Sequence, residues 1–68
     1  MKVYQIYHND KWVGYNNATS HKVEYVNRAY VIALYRNNIE VGMFNSKSQP
    51  IIVEDEILDG VIKIYIID

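Results

Sequence analysis

The 68 residues contain no cysteine, which excludes disulfides, thiolate metal sites and thiol nucleophiles. Proline occurs once, at Pro50, and glycine only at Gly14, Gly42 and Gly60, so backbone punctuation is sparse. Leucine is limited to Leu34 and Leu58 and alanine to Ala18, Ala29 and Ala33, which leaves few strong helix formers. The longest apolar run, 29–35, is far too short to cross a bilayer, so no membrane association is expected. Neither sign of charge is in large excess. Residues 1–38 carry +3 and residues 39–68 carry −4, for a net charge of −1. That balance lacks the positive field of a nucleic-acid binder and the dense negative field of a nucleic-acid mimic. The opening Met1-Lys2-Val3 shows no basic n-region, apolar h-region or small-residue cleavage site, and the chain reads as cytoplasmic.

Isoleucine, valine and tyrosine make up most of the hydrophobic half of the composition, and these side chains favour extended backbone. Isoleucine, asparagine, tyrosine and lysine are also residues of AT-rich codons, which points to a low-GC bacterium or one of its phages. At this length a single domain has a core that barely offsets chain entropy, so self-association or partner binding is expected to help.

An internal repeat organises the chain. Residues 3–14 lie over residues 31–42 at a constant offset of 28, with identity at Val3/Val31, Tyr7/Tyr35, Asn9/Asn37, Val13/Val41 and Gly14/Gly42. Each copy reads as a hairpin around a two-residue turn, Asn9-Asp10 or Asn37-Asn38, because Asn and Asp tolerate the positive φ of primed turns. The first hairpin pairs Tyr7 with Trp12, Ile6 with Val13 and Tyr4 with Tyr15. The second sets Tyr35 against Glu40 and Leu34 against Val41. Gly14 and Gly42 mark places where a backbone kink or the close approach of Tyr7 and Tyr35 is accommodated. Ile51 to Leu58, Asp59-Gly60 and Val61 to Ile67 form a third hairpin, with Glu56 opposite Lys63 and Ile57 opposite Ile62. The predicted fold is all-β: a small antiparallel meander of hairpins in one domain, 1–68. The alternative is α+β, with a helix at about 20–36 capped by Ser20, since Val23, Val26, Tyr30, Ala33 and Leu34 fall at helical spacing.

No residue set spells out catalysis, and no cofactor is expected. His8 has only Asp10 nearby, and Ser20 beside His21 lacks a base and an oxyanion site. Glu54, Asp55, Glu56 and Asp59 are the densest carboxylates, but strand alternation divides them between faces. Tyr7-His8-Asn9-Asp10-Lys11-Trp12-Val13-Gly14 resembles the aromatic hairpin of βγ-crystallin-type domains, and Asn16-Asn17-Ala18-Thr19-Ser20 resembles the calcium loop some of them carry. The second copy puts Glu40 at the second aromatic position, and no such loop follows it. The resemblance implies a calcium- or ligand-binding β module as the alternative function.

The aromatic residues carry the leading functional reading. Seven tyrosines, Trp12 and Phe44 are many for this length, and Tyr and Trp dominate interface energetics. If Ile6, Val13, Leu34, Val41, Ile62 and Ile64 form the core, then Tyr7, Trp12 and Tyr35 lie on the opposite side and form an interaction patch. The expected function is a non-enzymatic protein-interaction module, such as a phage or mobile-element accessory or inhibitor protein that binds a host protein. Exposed edges favour a homodimer.

Overall fold

The computed structural model describes residues 1–68 and is all-β. Its strands are β1 (Lys2–His8), β2 (Lys11–Ala18), β3 (Ser20–Val26), β4 (Ala29–Arg36), β5 (Ile39–Ser46), β6 (Ile51–Glu54) and β7 (Val61–Ile66). They form a four-stranded sheet, β2-β1-β7-β6, and a three-stranded sheet, β3-β4-β5. Tyr4, Ile6, Ala18, Ile62, Ile64 and Ile66 of the first sheet meet Ile32 and Leu34 of the second in one core, flanked by Val41, Phe44 and Ile52.

Three tight turns build the hairpins. Asn9-Asp10, Asn27-Arg28 and Asn37-Asn38 all hold both central residues at positive φ, between 48° and 69°. Such primed turns match the right-handed twist of the flanking strands. The Asn27-Arg28 turn removes the helical alternative, because residues 20–36 are β3 and β4 paired from Ser20↔Tyr35 to Val26↔Ala29. Valine and tyrosine in β3 lose rotamer freedom in a helix, and the asparagine at 27 takes the left-handed conformation that turns the chain.

Both repeat hairpins carry a β-bulge at the same place. The register moves from Tyr7↔Trp12 to Ile6↔Gly14, and from Tyr35↔Glu40 to Leu34↔Gly42. Val13 and Val41 are the extra residues, and every later residue of β2 and β5 pairs one position away from the regular register. Val13 is therefore exposed instead of joining the core, and Gly14, Asn16 and Ala18 lie on the face of Ile6 and Tyr4. A side-chain period of two turns one inserted residue into a change of face. Gly42 accommodates the Asn16 carboxamide, which a β-carbon there would overlap, whereas Gly14 has open space around it.

The third hairpin also differs from the predicted form. β6 ends at Glu54, and Ile52↔Ile64 and Val53↔Lys63 replace the Glu56–Lys63 and Ile57–Ile62 pairs. Asp55 stops the strand by accepting the N–H groups of Ile57 and Leu58, both at 2.8 Å. Residues 55–60 are consequently a loop, and Ile57 is 91% exposed. Gly60, at φ 75°, returns the chain into β7.

β7 then runs parallel to β1, from Val3↔Val61 to His8↔Ile66. Backbone bonds from Val3 N–H to Gly60 O (2.8 Å) and from Asn9 N–H to Ile66 O (2.9 Å) bracket the pairing. This long-range closure joins the two ends of the chain in one sheet.

Candidate protein-interaction face

With Ile6, Ile64 and Ile52 turned inward, strand alternation turns Tyr7, Tyr65 and Ile51 to the outer side of the four-stranded sheet. The registers align them. Trp12 faces Tyr7, Tyr7 faces Tyr65, and Tyr65 faces Ile51, so one apolar row crosses all four strands, about 14 Å from first to last strand. The Tyr7 and Tyr65 rings stack at 5.0 Å with an interplanar angle of 19°. Trp12 and Ile51, at the ends of the row, are 58% and 54% exposed. A second row, Tyr15, Gln5, Lys63 and Val53, runs beside it.

Tyr65 separates two open concavities. One, of about 480 Å³, is lined by Asn9, Asp10, Ile51, Ile66 and Ile67 together with Tyr65. The other, of about 360 Å³, lies among Val53, Glu56, Ile57 and Lys63. Asp55 borders this second hollow, and its carboxyl is held below the usual carboxylate range by the Leu58 and Ile57 amides and then by Lys63, whose Nζ is 3.6 Å away. Glu56, which lines this hollow, enters no ion pair, while Glu54, opposite buried Ile62, and Asp59 border a separate hollow with Lys2 and Gly60.

The opposite end is fastened by Asp68. Its carboxylate accepts from His8 Nε2 (2.6 Å) and from the Lys47 N–H (3.0 Å), and its own N–H donates to Asn9 Oδ1 (3.0 Å). The His8 and Lys47 bonds, in that order, hold the Asp68 carboxyl below its ordinary value. The partner of His8 is thus Asp68, and Asp10 is elsewhere.

Of the three predicted interaction residues, Tyr7 and Trp12 come together and Tyr35 does not. Tyr35 alternates with buried Leu34 on the three-stranded sheet, so it faces outward on the far side of the sandwich, beside Lys22, Ala33, Glu40 and Met43. The single-sheet picture behind the predicted patch placed both repeat copies on one surface, whereas folding puts them in different layers. Tyr65 and Ile51 complete the row instead. The outward direction of Tyr65 could be read from the alternation in 61–67, whereas the predicted register, with Ile57 opposite Ile62, puts Val53 and Ile51 on the inner face. The place of both Tyr65 and Ile51 in the row depends on the β6–β7 register and the β1–β7 pairing, for which no local signal exists.

His21 belongs to the core boundary. Its Nδ1 is 2.9 Å from the hydroxyl of fully buried Tyr4, and the two rings meet edge to face. Burial, and secondarily the charge of Lys2, lowers the His21 pKa, while burial followed by Glu54 raises that of Tyr4. This hydrogen bond, whose direction follows the tautomer of the neutral imidazole, ties the two sheets together. Ser20 and His21 point to opposite faces of β3.

The Asn16–Ser20 segment that resembles a calcium loop is the crossing between the sheets. Ala18 is buried, Thr19 Oγ1 donates to Tyr35 O (3.1 Å) and accepts from Asn37 N–H (3.1 Å), and Asn17 O accepts from Arg36 (2.8 Å). No three His, Asp or Glu side chains converge at a spacing suited to a metal ion. No helix is long and apolar enough to cross a membrane. Comparison with known proteins finds no matching family model, curated protein or solved structure.

Proposed function

We propose that this chain is a non-enzymatic interaction module that binds a protein partner through the outer face of its four-stranded sheet. The observation that carries the reading is the Trp12–Tyr7–Tyr65–Ile51 row. Four large side chains from four strands form one uncovered surface, fixed by backbone pairing and ring stacking. Rigid aromatic rings bury area with little loss of rotamer freedom, which is why they concentrate binding energy. The hollows on either side of Tyr65 receive protruding apolar side chains of the partner. Unpaired Glu56 beside the second hollow favours a basic residue next to that contact. The setting we propose is cytoplasmic, as an accessory or inhibitor protein of a phage or mobile element acting on a host protein.

Affinity capture from the cells that make the protein tests this, with wild type compared against Trp12→Ala, Tyr65→Ala and Tyr35→Ala. A defined partner should be retained by wild type and Tyr35→Ala and lost from the other two. Truncating an aromatic anchor costs about 2 kcal/mol, roughly a thirtyfold loss in affinity. Equal recovery by all four proteins would remove the four-stranded face from the binding surface.

A further inference from the structure

The sandwich has four open strand edges, and three are blunted. β2 and β5 each carry a bulge, and β6 has only four residues and follows Pro50. The fourth edge, β3, is seven residues long, contains neither proline nor glycine, pairs with β4 without a register shift, and is exposed at every position. A regular, uncovered edge is a template for another strand.

From this geometry we infer that β3 pairs with β3 of a second copy of the chain, antiparallel and centred on Val23, to join two three-stranded sheets into one of six. The backbone sets the register first. A two-residue primed turn makes Val26↔Ala29 a hydrogen-bonded pair, so Glu24 and Lys22 also spend their backbone groups on β4. His21, Val23 and Tyr25 therefore direct N–H and C=O toward the open edge. Two-fold pairing about Val23 matches His21 with Tyr25 of the other copy, Val23 with Val23, and Tyr25 with His21, giving about six backbone hydrogen bonds.

Charge selects the same register. Lys22 and Glu24 share the outer face of β3 and already pair with each other at 2.7 Å. Centring on Val23 sets Lys22 of each copy opposite Glu24 of the other, whereas centring on residue 22 or 24 opposes like charges, which is unfavourable. Centring on residue 21 or 25 leaves part of the strand unpaired. On the inner face, Tyr25, which is 63% exposed and packed at 4.7 Å on Tyr30, comes beside His21 of the second copy. A single added strand buries modest area, so the dimer is reversible, with a dissociation constant of about 1–100 µM. This edge lies in the sheet opposite the aromatic face, and the dimer carries two such faces in one particle.

Sedimentation equilibrium over a concentration series tests the pairing. Wild type should approach twice the monomer mass, and Glu24→Lys and Lys22→Glu should each remain monomeric because like charges then face each other. An equimolar mixture of those two variants should dimerise, since every cross-strand pair becomes opposite in sign again. Val23→Pro, which removes an outward N–H without breaking a β3–β4 bond, should be folded by circular dichroism and monomeric. In wild type above the dissociation constant, the His21 and Tyr25 amides should exchange more slowly than in Val23→Pro. A wild type monomeric at millimolar concentration overturns the inference. So does a dimer that survives both charge reversals, or a mixture that stays monomeric. Dimerisation should be unchanged by Trp12→Ala, which separates this result from the binding proposed for the aromatic face.

Discussion

The two glycines at equivalent repeat positions should respond unequally to the same substitution. Gly14 and Gly42 both follow a bulge and pair with Ile6 and Leu34. A β-carbon at residue 14 meets nothing within 4 Å, and the backbone there is not left-handed. Gly14→Ala should therefore stabilise by about 0.4–1 kcal/mol by restricting the unfolded chain. A β-carbon at residue 42 overlaps the Asn16 carboxamide and comes within 3.7 Å of the Phe44 ring. The overlapping atom is the far end of the Asn16 side chain, which must swing aside at a cost that offsets part or all of the entropic gain, so Gly42→Ala should be less stable than Gly14→Ala by about 1 kcal/mol. For a domain of this size each kcal/mol moves the melting temperature by about 4–8 °C, so Gly42→Ala should melt that far below Gly14→Ala. Urea unfolding with unchanged slope would assign the shifts to stability, and adding Asn16→Ala to Gly42→Ala should recover much of the difference from Gly14→Ala. Equal shifts of one sign for Gly14→Ala and Gly42→Ala would refute the contact between Asn16 and Gly42.

Three other outcomes follow from the packing. Ile64 is fully buried at the centre of β7, and Ile64→Ala should cost about 2–5 kcal/mol and leave a largely unfolded population by circular dichroism, since only 11 of 68 residues are buried in total. Because burial depresses the His21 pKa in the folded state, stability from that group is complete above the unfolded value near 6.5 and is lost as pH falls through the lower folded value. The urea midpoint should thus decline as pH falls below about 6.5, and His21→Gln should flatten that decline. Arg28 occupies the left-handed region at φ 65°, and Arg28→Gly, which creates the favoured Asn-Gly turn, should raise stability by up to about 1 kcal/mol in thermal melts.

The hairpins were legible because their information is local. Positive-φ asparagines, alternation and the repeated Tyr-x-Asn pattern place β1, β2, β4 and β5 and their tight turns without reference to the rest of the chain. The bulges were not, since Val13 and Val41 continue the apolar alternation and nothing in their identity announces an extra residue. Asp55 hid the end of β6 in a similar way: a carboxylate that captures two amides resembles, in sequence, one more strand residue before Asp59-Gly60. Tyr7 and Trp12 were legible as outward partners across one hairpin. Their continuation through Tyr65 to Ile51 required the parallel β1–β7 pairing, and the separation of Tyr35 required knowing that the repeat copies occupy different layers.

The proposed role rests most directly on which surface touches another protein in the cell. A photocrosslinking amino acid at position 12, and separately at position 35, supplies that measurement in the cells that make the protein. Position 12 should yield a covalent adduct with one defined protein and position 35 should yield none. Adducts only from position 35, or from neither position, would contradict the account.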